Sequence, residues 1–527
     1  MSGSLDRAAA LRSISENEHF DILVIGGGAT GLGIALDAAA RGFRVALLER
    51  NDFAKGTSSR ATKLLHGGVR YLAQGNVSLV REALHERTQV LHNAPHLAQP
   101  LPFLTPVYGL RGRWFDRPFF GGGLRLYDLL AGAAGIGHTE FMNTAETRRL
   151  MPGVREHDLR GAIRYWDGQF DDARLAVALA RTARTRGATL LNHCTVDGLV
   201  HDGKRVRGAT AHDNENGRSL QVRADCVINA TGVWVDAVRR MDSKGRRETV
   251  SPSQGVHLVV DADFLRSNHA LLVPRTRDGR VLFAVPWLGK VILGTTDTPR
   301  DDLAEEPQPF ADEIAFILEE SARYLERPPT GADVRSVWVG LRPLVRPPDD
   351  ADGGTKTLSR EHTVIVDDSG LTTVTGGKWT TYRAMAEDVL EACADHGLIE
   401  RRQAGVTRDL RLAGAPEEAT IPISAPPGLH LYGTDADAVR SLAGADSWLA
   451  PGLSEAMVRF AARVEGARTI EDVLARRSRL LFLDARAALD AAAPVARLLA
   501  DERGQDYDPE RDRAHFAALA AGYRWQA

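Results

Sequence analysis

The segment from residue 20 to residue 49 constrains the fold more than any other part of the chain. A short apolar run over residues 20–25 enters a G-x-G-x-x-G turn formed by Gly26, Gly28 and Gly31, and a helix rich in small residues follows. In this pattern the first glycine makes the tight turn, the second lets the backbone approach a pyrophosphate, and the third lets the helix pack closely. The turn therefore predicts a dinucleotide site in a Rossmann-like βαβ unit.

The strand expected after this helix ends in an acidic residue. Glu49 lies 23 residues beyond Gly26, and a carboxylate about 20 residues after the first glycine binds ribose hydroxyls in this class of site. The helix that follows Gly31 would direct free N–H groups and its positive end at the phosphates. We therefore predict that Gly26, Gly28, Gly31 and Glu49 bind the cofactor.

Only one such motif occurs in the sequence. A nicotinamide-dependent flavoprotein reductase usually has a second one, but residues 121–123 follow no strand, and Gly376 and Gly377 lack a third glycine. Further glycine-rich strand ends at residues 229–232 and 375–378 fit a flavin that reaches across the chain better than NAD. These features favour FAD and argue against electron exchange with NAD(P).

Composition excludes several other classes of protein. The 527 residues, 43% of them hydrophobic, are enough for two to four domains. A formal charge of −3, with scattered basic residues, gives no reason to expect nucleic acid. No run of about 18 uncharged apolar residues is present, so membrane association is expected to be peripheral. The polar leader lacks the apolar core of a signal peptide, which predicts an intracellular, cytoplasmic protein.

The three cysteines are Cys194, Cys226 and Cys393. Their spacing matches neither a metal site nor an even disulfide framework, which is typical of buried thiols in a reducing compartment. We predict no structural disulfide and no metal.

Hydrophobic patterning predicts helices at residues 76–92, 171–187 and 312–326, and an antiparallel sheet over residues 255–296. The proline-, aromatic- and arginine-rich stretch 100–130 shows no regular element at its centre. Residues 416–426 are typical of a linker into a largely helical C-terminal domain.

Four segments carry a specific resemblance to a known family. They read GTSSRATKLLHGGVRYL at 56–72, FDDARL at 170–175, NATG at 229–232 and GGKWTTYR at 376–383. Together they resemble the FAD-dependent glycerol-3-phosphate dehydrogenases. The resemblance spans roughly residues 20–383 and continues in the C-terminal domain through 468–477 and 480–486.

The resemblance implies a mixed α/β and α+β fold in three parts. These are a discontinuous Rossmann-like FAD-binding domain of the amino-acid oxidase type, an antiparallel-sheet substrate domain and a C-terminal helical domain. The expected bounds are 1–17 for a flexible leader, 18–75, 150–250 and 355–400 for the FAD-binding domain, 76–149 and 251–354 for the substrate domain, and 415–527 for the helical domain.

The resemblance also implies an activity, namely oxidation of sn-glycerol 3-phosphate to dihydroxyacetone phosphate by hydride transfer to noncovalent FAD. The electrons would pass to a membrane quinone. Peripheral association with the inner face of the cell membrane follows as an expectation. Whether the chain forms a homodimer stays open.

Such an oxidation needs a base for the hydroxyl proton and cations for a phosphate. His257 matches a family active-site histidine, and an imidazole that titrates near neutrality suits the base; the alternative is a core histidine bonded to backbone. Arg70 and Lys378 are the other catalytic candidates. Tyr71, Arg342 and Arg360 match family positions near the substrate, and guanidinium groups bind phosphate well, although most arginines form surface ion pairs instead.

The remaining predicted cofactor contacts come from the matched segments. They are Ser58, Ser59, Thr62, Lys63, His66, Gly232, Gly376 and Gly377.

Three alternatives stay open at this point. A glycerol-3-phosphate oxidase would reduce oxygen to hydrogen peroxide, although residues 255–343 show no inserted segment of the kind expected in such oxidases. A flavin-dependent amine or amino-acid oxidase would use its arginines on a carboxylate. A noncatalytic FAD-binding protein would not need all of the candidate side chains. Basic and aromatic residues cluster at residues 111–125, either as a membrane-facing surface or as a partly buried loop.

Overall fold

The first sheet of the structure is mostly parallel and contains the predicted dinucleotide unit. We analysed a computed structural model that describes residues 3–16, 19–68, 77–109, 117–346 and 361–525. The strands of this sheet are β1 Phe20–Ile25, β2 Val45–Leu48, β7 Thr189–Leu191, β8 Cys194–Asp202, β9 Arg205–Asp213, β10 Ser219–Asn229, β17 His362–Val366 and β18 Leu371–Gly376. Their order is β17-β18-β10-β1-β2-β7, with β9 paired to β10 and β8 to β9.

Helices cover this sheet because its central strands are apolar on both faces. All four residues of β2 are buried, as are five of the six in β1. Helix Ala29–Ala40 packs between helices Asp172–Thr185 and Tyr382–Asp395. Because β1 lies between β10 and β2, the carboxyl end of β1 is the point where ligands bind in such sheets.

The second sheet forms the substrate domain. Its strands are β3 Leu64–Leu65, β4 Ala98–Tyr108, β5 Glu140–Met142, β6 Leu159–Phe170, β11 Val250–Asp261, β12 Ala270–Val273, β13 Leu282–Trp287, β14 Lys290–Gly294, β15 Thr298–Pro299 and β16 Ser336–Val345. The sheet runs β15-β11-β14-β13-β12-β4-β6-β3, with β16 paired to β11 and β5 to β6. Every pair is antiparallel except β12 with β4.

The C-terminal domain is largely helical and also contains a short hairpin, formed by β19 Trp448–Ala450 and β20 Leu453–Ser454. None of the described helices has the length and apolar character needed to span a bilayer. The α-helices are Arg7–Glu16, Ala29–Ala40, Val77–Asn93, Arg117–Ala131, Thr144–Leu150, Asp172–Thr185, Val235–Asp242, Ala311–Ala322, Tyr382–Asp395, Ala436–Arg440, Glu455–Arg463, Leu480–Leu483, Ala485–Arg503 and Pro509–Ala521, and Asp472–Arg477 forms a π-helix.

The architecture confirms the predicted fold class, but several local predictions were wrong. In the stretch 100–130, β4 and the helix Arg117–Ala131 lie on either side of residues 110–116; the prediction of no regular element at the centre falls on those residues, which lie outside the described ones. Prolines 100, 102 and 106 are tolerated in β4 because β12 pairs only with residues 103 and 104 on that side. The acidic helix ends at Ala322, four residues earlier than predicted.

The leader is also more ordered than predicted. Within residues 1–17, helix Arg7–Glu16 buries Ala10 and Ile14, and Arg7 forms an ion pair with Asp213.

Two segments assigned by sequence to the FAD-binding domain lie in the second sheet. β3 pairs with β6, and β6 pairs with β4, whereas the predicted bounds 18–75 and 150–250 placed β3 and β6 with the first sheet. Strand patterning predicts that a segment is extended but not which strand it will pair with.

The C-terminal domain contacts the first sheet through buried ion pairs. Arg476 and Arg477 both donate to Asp52, which lies just beyond β2. Arg174 donates to Glu465 at 2.9 Å. Breaking one partner of a buried pair leaves an uncompensated charge, which typically costs about 3–5 kcal/mol, so these contacts tie the domain to the loop beside the predicted cofactor site.

Candidate active site

One cavity lies between the two sheets, at the carboxyl ends of the parallel strands. The ends of β1, β10 and β18 form one wall, and the second sheet contributes His257 from β11 and Arg342 from β16. The predicted site residues that line this cavity are Gly26, Gly28, Glu49, Ser58, Thr62, His66, Gly232, His257, Arg342, Gly376, Gly377 and Lys378. Residues predicted from six separate parts of the sequence thus meet in one place.

The glycine turn has the geometry that a dinucleotide requires. Gly26 has a φ of +109°, and a Cβ there would lie 2.6 Å from the carbonyl oxygen of Ala230. A Cβ on Gly31 would lie 1.9 Å from the carbonyl oxygen of Gly26, so Gly31 packs the helix against the turn and does not itself line the cavity. Gly28 has only the Ser58 hydroxyl near its missing Cβ, at 3.0 Å, which leaves its backbone open to a ligand.

Polar groups beside the turn complete a cradle for phosphate and ribose. The N–H of Ala29, in the first turn of helix Ala29–Ala40, donates to Ser58 Oγ at 2.9 Å. Glu49 accepts from the N–H of Gly27 at 2.6 Å and from the N–H of Asn51 at 2.8 Å. Burial raises the pKa of the Glu49 carboxyl. An anion-binding helix end, a carboxylate and an open glycine fit the pyrophosphate and the adenosine ribose of FAD.

His257 lies on the opposite wall and is almost fully buried. Its Nε2 lies 2.9 Å from Thr62 Oγ1, and its ring stacks on Trp338 with centroids 5.0 Å apart. Burial, followed by the charges of Lys63 and Arg342, holds the pKa of the imidazole well below its usual value. The expectation that His257 titrates near neutrality was therefore wrong, because its surroundings favour the neutral ring.

Among the described residues the His257 ring has one hydrogen-bond partner, Thr62 at Nε2. Nδ1 is buried and has no hydrogen-bond partner among the described residues. The direction of the bond between Nε2 and Thr62 Oγ1 follows the tautomer: with the hydrogen on Nε2 the ring donates to Thr62, and with the hydrogen on Nδ1 it accepts from Thr62.

Arg342 is held on the same wall by backbone oxygens and one carboxylate. It donates to the carbonyl oxygens of Gln254 at 3.2 Å and Thr296 at 2.9 Å, and forms an ion pair with Asp297 at 3.4 Å. β11 and β16 are paired so that Ser253 lies opposite Arg342 and His257 lies opposite Trp338. The guanidinium and the imidazole therefore belong to neighbouring strands beside the same cavity.

Lys63 does not line the cavity, contrary to its assignment as a cofactor contact. Its ammonium is fully buried and donates to Asp172 Oδ2 and to the carbonyl oxygen of Ser59, both at 2.7 Å. Three aromatic rings surround the ammonium at 5.2–5.4 Å, those of Trp287, Trp338 and Phe482. Burial lowers the pKa of Lys63 to about 7. Lys63 therefore holds the loop that carries Ser58 and Thr62.

Two residues that act on this loop were not singled out from the sequence. Asp172 accepts from Lys63, from the N–H of Ala61 at 3.0 Å and from Arg479 at 3.0 Å. Arg479 also donates to the carbonyl oxygen of Ser59, so Ser59 faces this ion-pair cluster and not the cavity. Asp172 lay in a matched segment and could have been flagged, whereas no local signal marked Arg479.

Three predicted active-site residues, the catalytic candidate Arg70 and the substrate contacts Tyr71 and Arg360, lie outside the described residues. Part of the basic and aromatic segment 111–125 also lies outside them. The assignments on these residues stay predictions.

One trio of side chains has metal-like spacing among the described residues, namely Asp52, His193 and Asp472. Arg476 and Arg477 donate to Asp52, and Arg476 also donates to Asp472. The two carboxylates are thus neutralised by guanidinium groups, which leaves no net negative charge to attract a cation.

Comparison with known proteins supports the same interpretation of the cavity. Residues 21–383 match a family model described as FAD dependent oxidoreductase, and residues 424–510 match one described as the C-terminal domain of alpha-glycerophosphate oxidase.

The chain is similar over nearly its whole length to several named enzymes. It is 40% identical to a mitochondrial glycerol-3-phosphate dehydrogenase of Arabidopsis thaliana, over 97% of this chain and 87% of that protein. It is 41% identical to the mitochondrial glycerol-3-phosphate dehydrogenase of Homo sapiens, over 95% of this chain and 73% of that protein. Among solved structures, the glycerol-3-phosphate dehydrogenase of Bacillus halodurans complexed with FAD aligns with a TM-score of 0.79 and 29% identity, covering 99% of this chain and 98% of that one.

Proposed function

The chain belongs to the FAD-dependent glycerol-3-phosphate dehydrogenase family, and on that premise we propose how its residues oxidise sn-glycerol 3-phosphate to dihydroxyacetone phosphate. The observation that carries the proposal is the meeting of His257 and Arg342 in the cavity that also contains the dinucleotide cradle. The imidazole of His257, a candidate base, and the guanidinium of Arg342, a candidate phosphate ligand, then line the same cavity.

Arg342 binds the substrate phosphate in this proposal. Its guanidinium offers a delocalised positive charge to the phosphate, and its contacts with the carbonyl oxygens of Gln254 and Thr296 restrict its orientation. Lys378 lines the same cavity and adds positive charge there. Arg70, Tyr71 and Arg360 stay substrate or catalytic candidates from the sequence.

His257 accepts the proton of the substrate hydroxyl at Nε2, either directly or through Thr62, from the tautomer that carries its hydrogen on Nδ1. In the free protein its low pKa keeps the ring neutral, and therefore able to accept. A bound phosphate dianion would offset the positive charge of Arg342 and raise the pKa of the ring, which strengthens the base when substrate is present. The bound flavin supplies the acceptor for the hydride.

Gly26, Gly28, Glu49 and Ser58 would hold the pyrophosphate and adenosine of FAD, and His66, Gly232, Gly376 and Gly377 would line the flavin end. We therefore expect Gly28→Ala to fold normally but to bind FAD more weakly. Gly28 has φ −80°, which alanine adopts without strain. Apart from a small shift of the Ser58 hydroxyl, 3.0 Å from the added methyl, the change matters when a pyrophosphate approaches. FAD titration of the deflavinated protein measures the loss, expected to be at least about tenfold.

Gly31→Ala is the matched comparison, since its Cβ would collide with backbone in the empty protein as well. It should lower both FAD affinity and thermal stability. If Gly28→Ala bound FAD as tightly as the wild type, the assignment of the pyrophosphate site to Gly28 would be wrong.

Lys63→Met should move the acid limb of flavin reduction to higher pH. The Lys63 charge lowers the pKa of His257, and Lys63, with a pKa of about 7, is protonated below that pH. Without this charge, the His257 pKa rises towards its usual value, so the base becomes protonated, and inactive, at a higher pH. Stopped-flow reduction rates over the acidic to neutral range measure the shift. Arg479 still pairs with Asp172 in this variant. An unchanged pH profile would contradict the claim that the Lys63 charge lowers the pKa of His257.

We further propose that the electrons pass to a membrane quinone, that the protein is cytoplasmic, and that it binds the inner face of the cell membrane peripherally. The runner-up acceptor is oxygen, because residues 424–510 match the domain described from an oxidase. Steady-state turnover with glycerol 3-phosphate and a soluble quinone, with dihydroxyacetone phosphate and hydrogen peroxide both assayed, separates the two. Quinone-dependent product without peroxide supports the dehydrogenase, and stoichiometric peroxide supports the oxidase.

A further inference from the structure

The cradle of Arg342 is built from two separate pieces of chain. One is β11, which supplies the carbonyl oxygen of Gln254. The other is the connection between β14 and β15, which supplies the carbonyl oxygen of Thr296 and the carboxylate of Asp297. A relative shift of the two pieces would turn the guanidinium away from the cavity.

A single buried carboxylate, that of Glu313, hydrogen-bonds to both of these pieces of chain. Glu313, in the first turn of helix Ala311–Ala322, is 4% exposed. Its Oε1 accepts from the hydroxyls of Thr296 at 2.8 Å and Thr298 at 2.6 Å, and its Oε2 accepts from Gln254 Nε2 at 2.5 Å. Thr296 Oγ1 accepts in turn from the N–H of Val256 at 3.0 Å, which adds a direct link between the two pieces.

The hydrogen-bond pattern at Gln254 requires an acceptor on the side of Glu313 that faces it. Arg300 donates to Gln254 Oε1 at 2.7 Å, and a guanidinium has no acceptor to offer. The amide nitrogen of Gln254 must therefore face Glu313, and the N–H of Phe310 donates to the same Glu313 oxygen at 3.0 Å. A glutamine at residue 313 would turn its own NH₂ towards either these two donors or the two threonine hydroxyls.

We propose that Glu313 is a positioning residue for substrate binding, because it locks Gln254 to Thr296 and Thr298 and so holds Arg342 towards the cavity. The inference rests on the proposed role of Arg342 in phosphate binding. Glu313 acts through its neighbours, and among the described residues it is not part of the cavity wall.

Glu313→Gln tests the inference in the FAD-loaded enzyme. We expect KM for glycerol 3-phosphate and the inhibition constant of inorganic phosphate to rise about tenfold or more, with kcat changed much less, because positioning errors near 1 Å weaken oriented contacts by such factors. Thermal stability and FAD content are measured beside them. Glu319→Gln is the matched control, since Glu319 lies on the same helix, pairs with Arg277 and is exposed.

A swap distinguishes positioning from general damage. In the double variant Glu313→Gln with Gln254→Glu, the introduced amide accepts from both threonines and donates to the introduced carboxylate, whose second oxygen still accepts from Arg300. Only the N–H of Phe310 loses its partner. We expect KM and the phosphate constant to return to within about threefold of wild type, while Gln254→Glu alone, with two facing carboxylates, should be impaired.

Unchanged constants in Glu313→Gln would overturn the inference, and so would equal impairment of the single and double variants. A wild-type enzyme that neither turns over glycerol 3-phosphate nor is protected thermally by inorganic phosphate would refute the proposed function itself, and the inference with it. Wild-type phosphate protection that is weakened in Glu313→Gln would support the positioning role even if turnover were absent.

Discussion

His257→Gln should slow flavin reduction by glycerol 3-phosphate by about 10²- to 10⁴-fold, the usual contribution of a general base. Glutamine can still hydrogen-bond Thr62 and pack against Trp338, but an amide does not accept a proton near neutral pH. Anaerobic stopped-flow absorbance at saturating substrate measures the rate. The flavin spectrum and thermal stability of the variant check that the cavity is intact.

The alternative to a catalytic role is a histidine that only supports the core. A rate within about tenfold of wild type would support that alternative and contradict the assignment of the base. Thr62→Val is the companion variant, because it removes the hydroxyl that His257 Nε2 contacts while keeping the branched side chain. A large loss in both variants would indicate that the proton passes through Thr62.

Arg342→Met should lower kcat/KM for glycerol 3-phosphate by about 10²-fold or more, since a charge-assisted contact with a buried ligand is typically worth about 2–5 kcal/mol. Most of the loss should appear in KM. Arg342→Lys keeps the charge without the planar fork, so its kcat/KM should fall between those of the wild type and Arg342→Met.

Glycerol provides the internal control for this prediction, because it has the reacting hydroxyl but no phosphate. Turnover of glycerol, however slow, should be nearly unchanged in Arg342→Met, so the preference for the phosphorylated substrate should collapse. An equal loss on both substrates would show that Arg342 supports the site structurally and does not bind phosphate.

The parts of the structure that local patterning determines were predictable. The strand, the glycine turn and the helix over residues 20–40 follow from apolar runs and from positions that require glycine, and the structure has β1 and helix Ala29–Ala40 there. The glycine-rich strand ends that contain Gly232 and Gly376 were expected to reach one flavin, whereas the presence of His257 in the same cavity was predictable only through the family resemblance.

The errors concern residues whose environment comes from distant parts of the chain. Lys63 was assigned to the cofactor, but its ammonium is directed at Asp172 and enclosed by rings from three other segments. His257 was expected to titrate near neutrality, but burial and two cations lower its pKa. Local sequence reports neither burial nor the sign of a neighbour that arrives by tertiary folding.

The most direct test of the central claim is a single turnover of the purified, FAD-loaded protein under anaerobic conditions. We predict that glycerol 3-phosphate rapidly bleaches the visible absorbance of the oxidised flavin, because the flavin accepts the hydride, and that glycerol does so far more slowly. No bleaching by glycerol 3-phosphate, in a protein whose flavin is reduced by dithionite, would contradict the proposed substrate and the roles of His257 and Arg342 together.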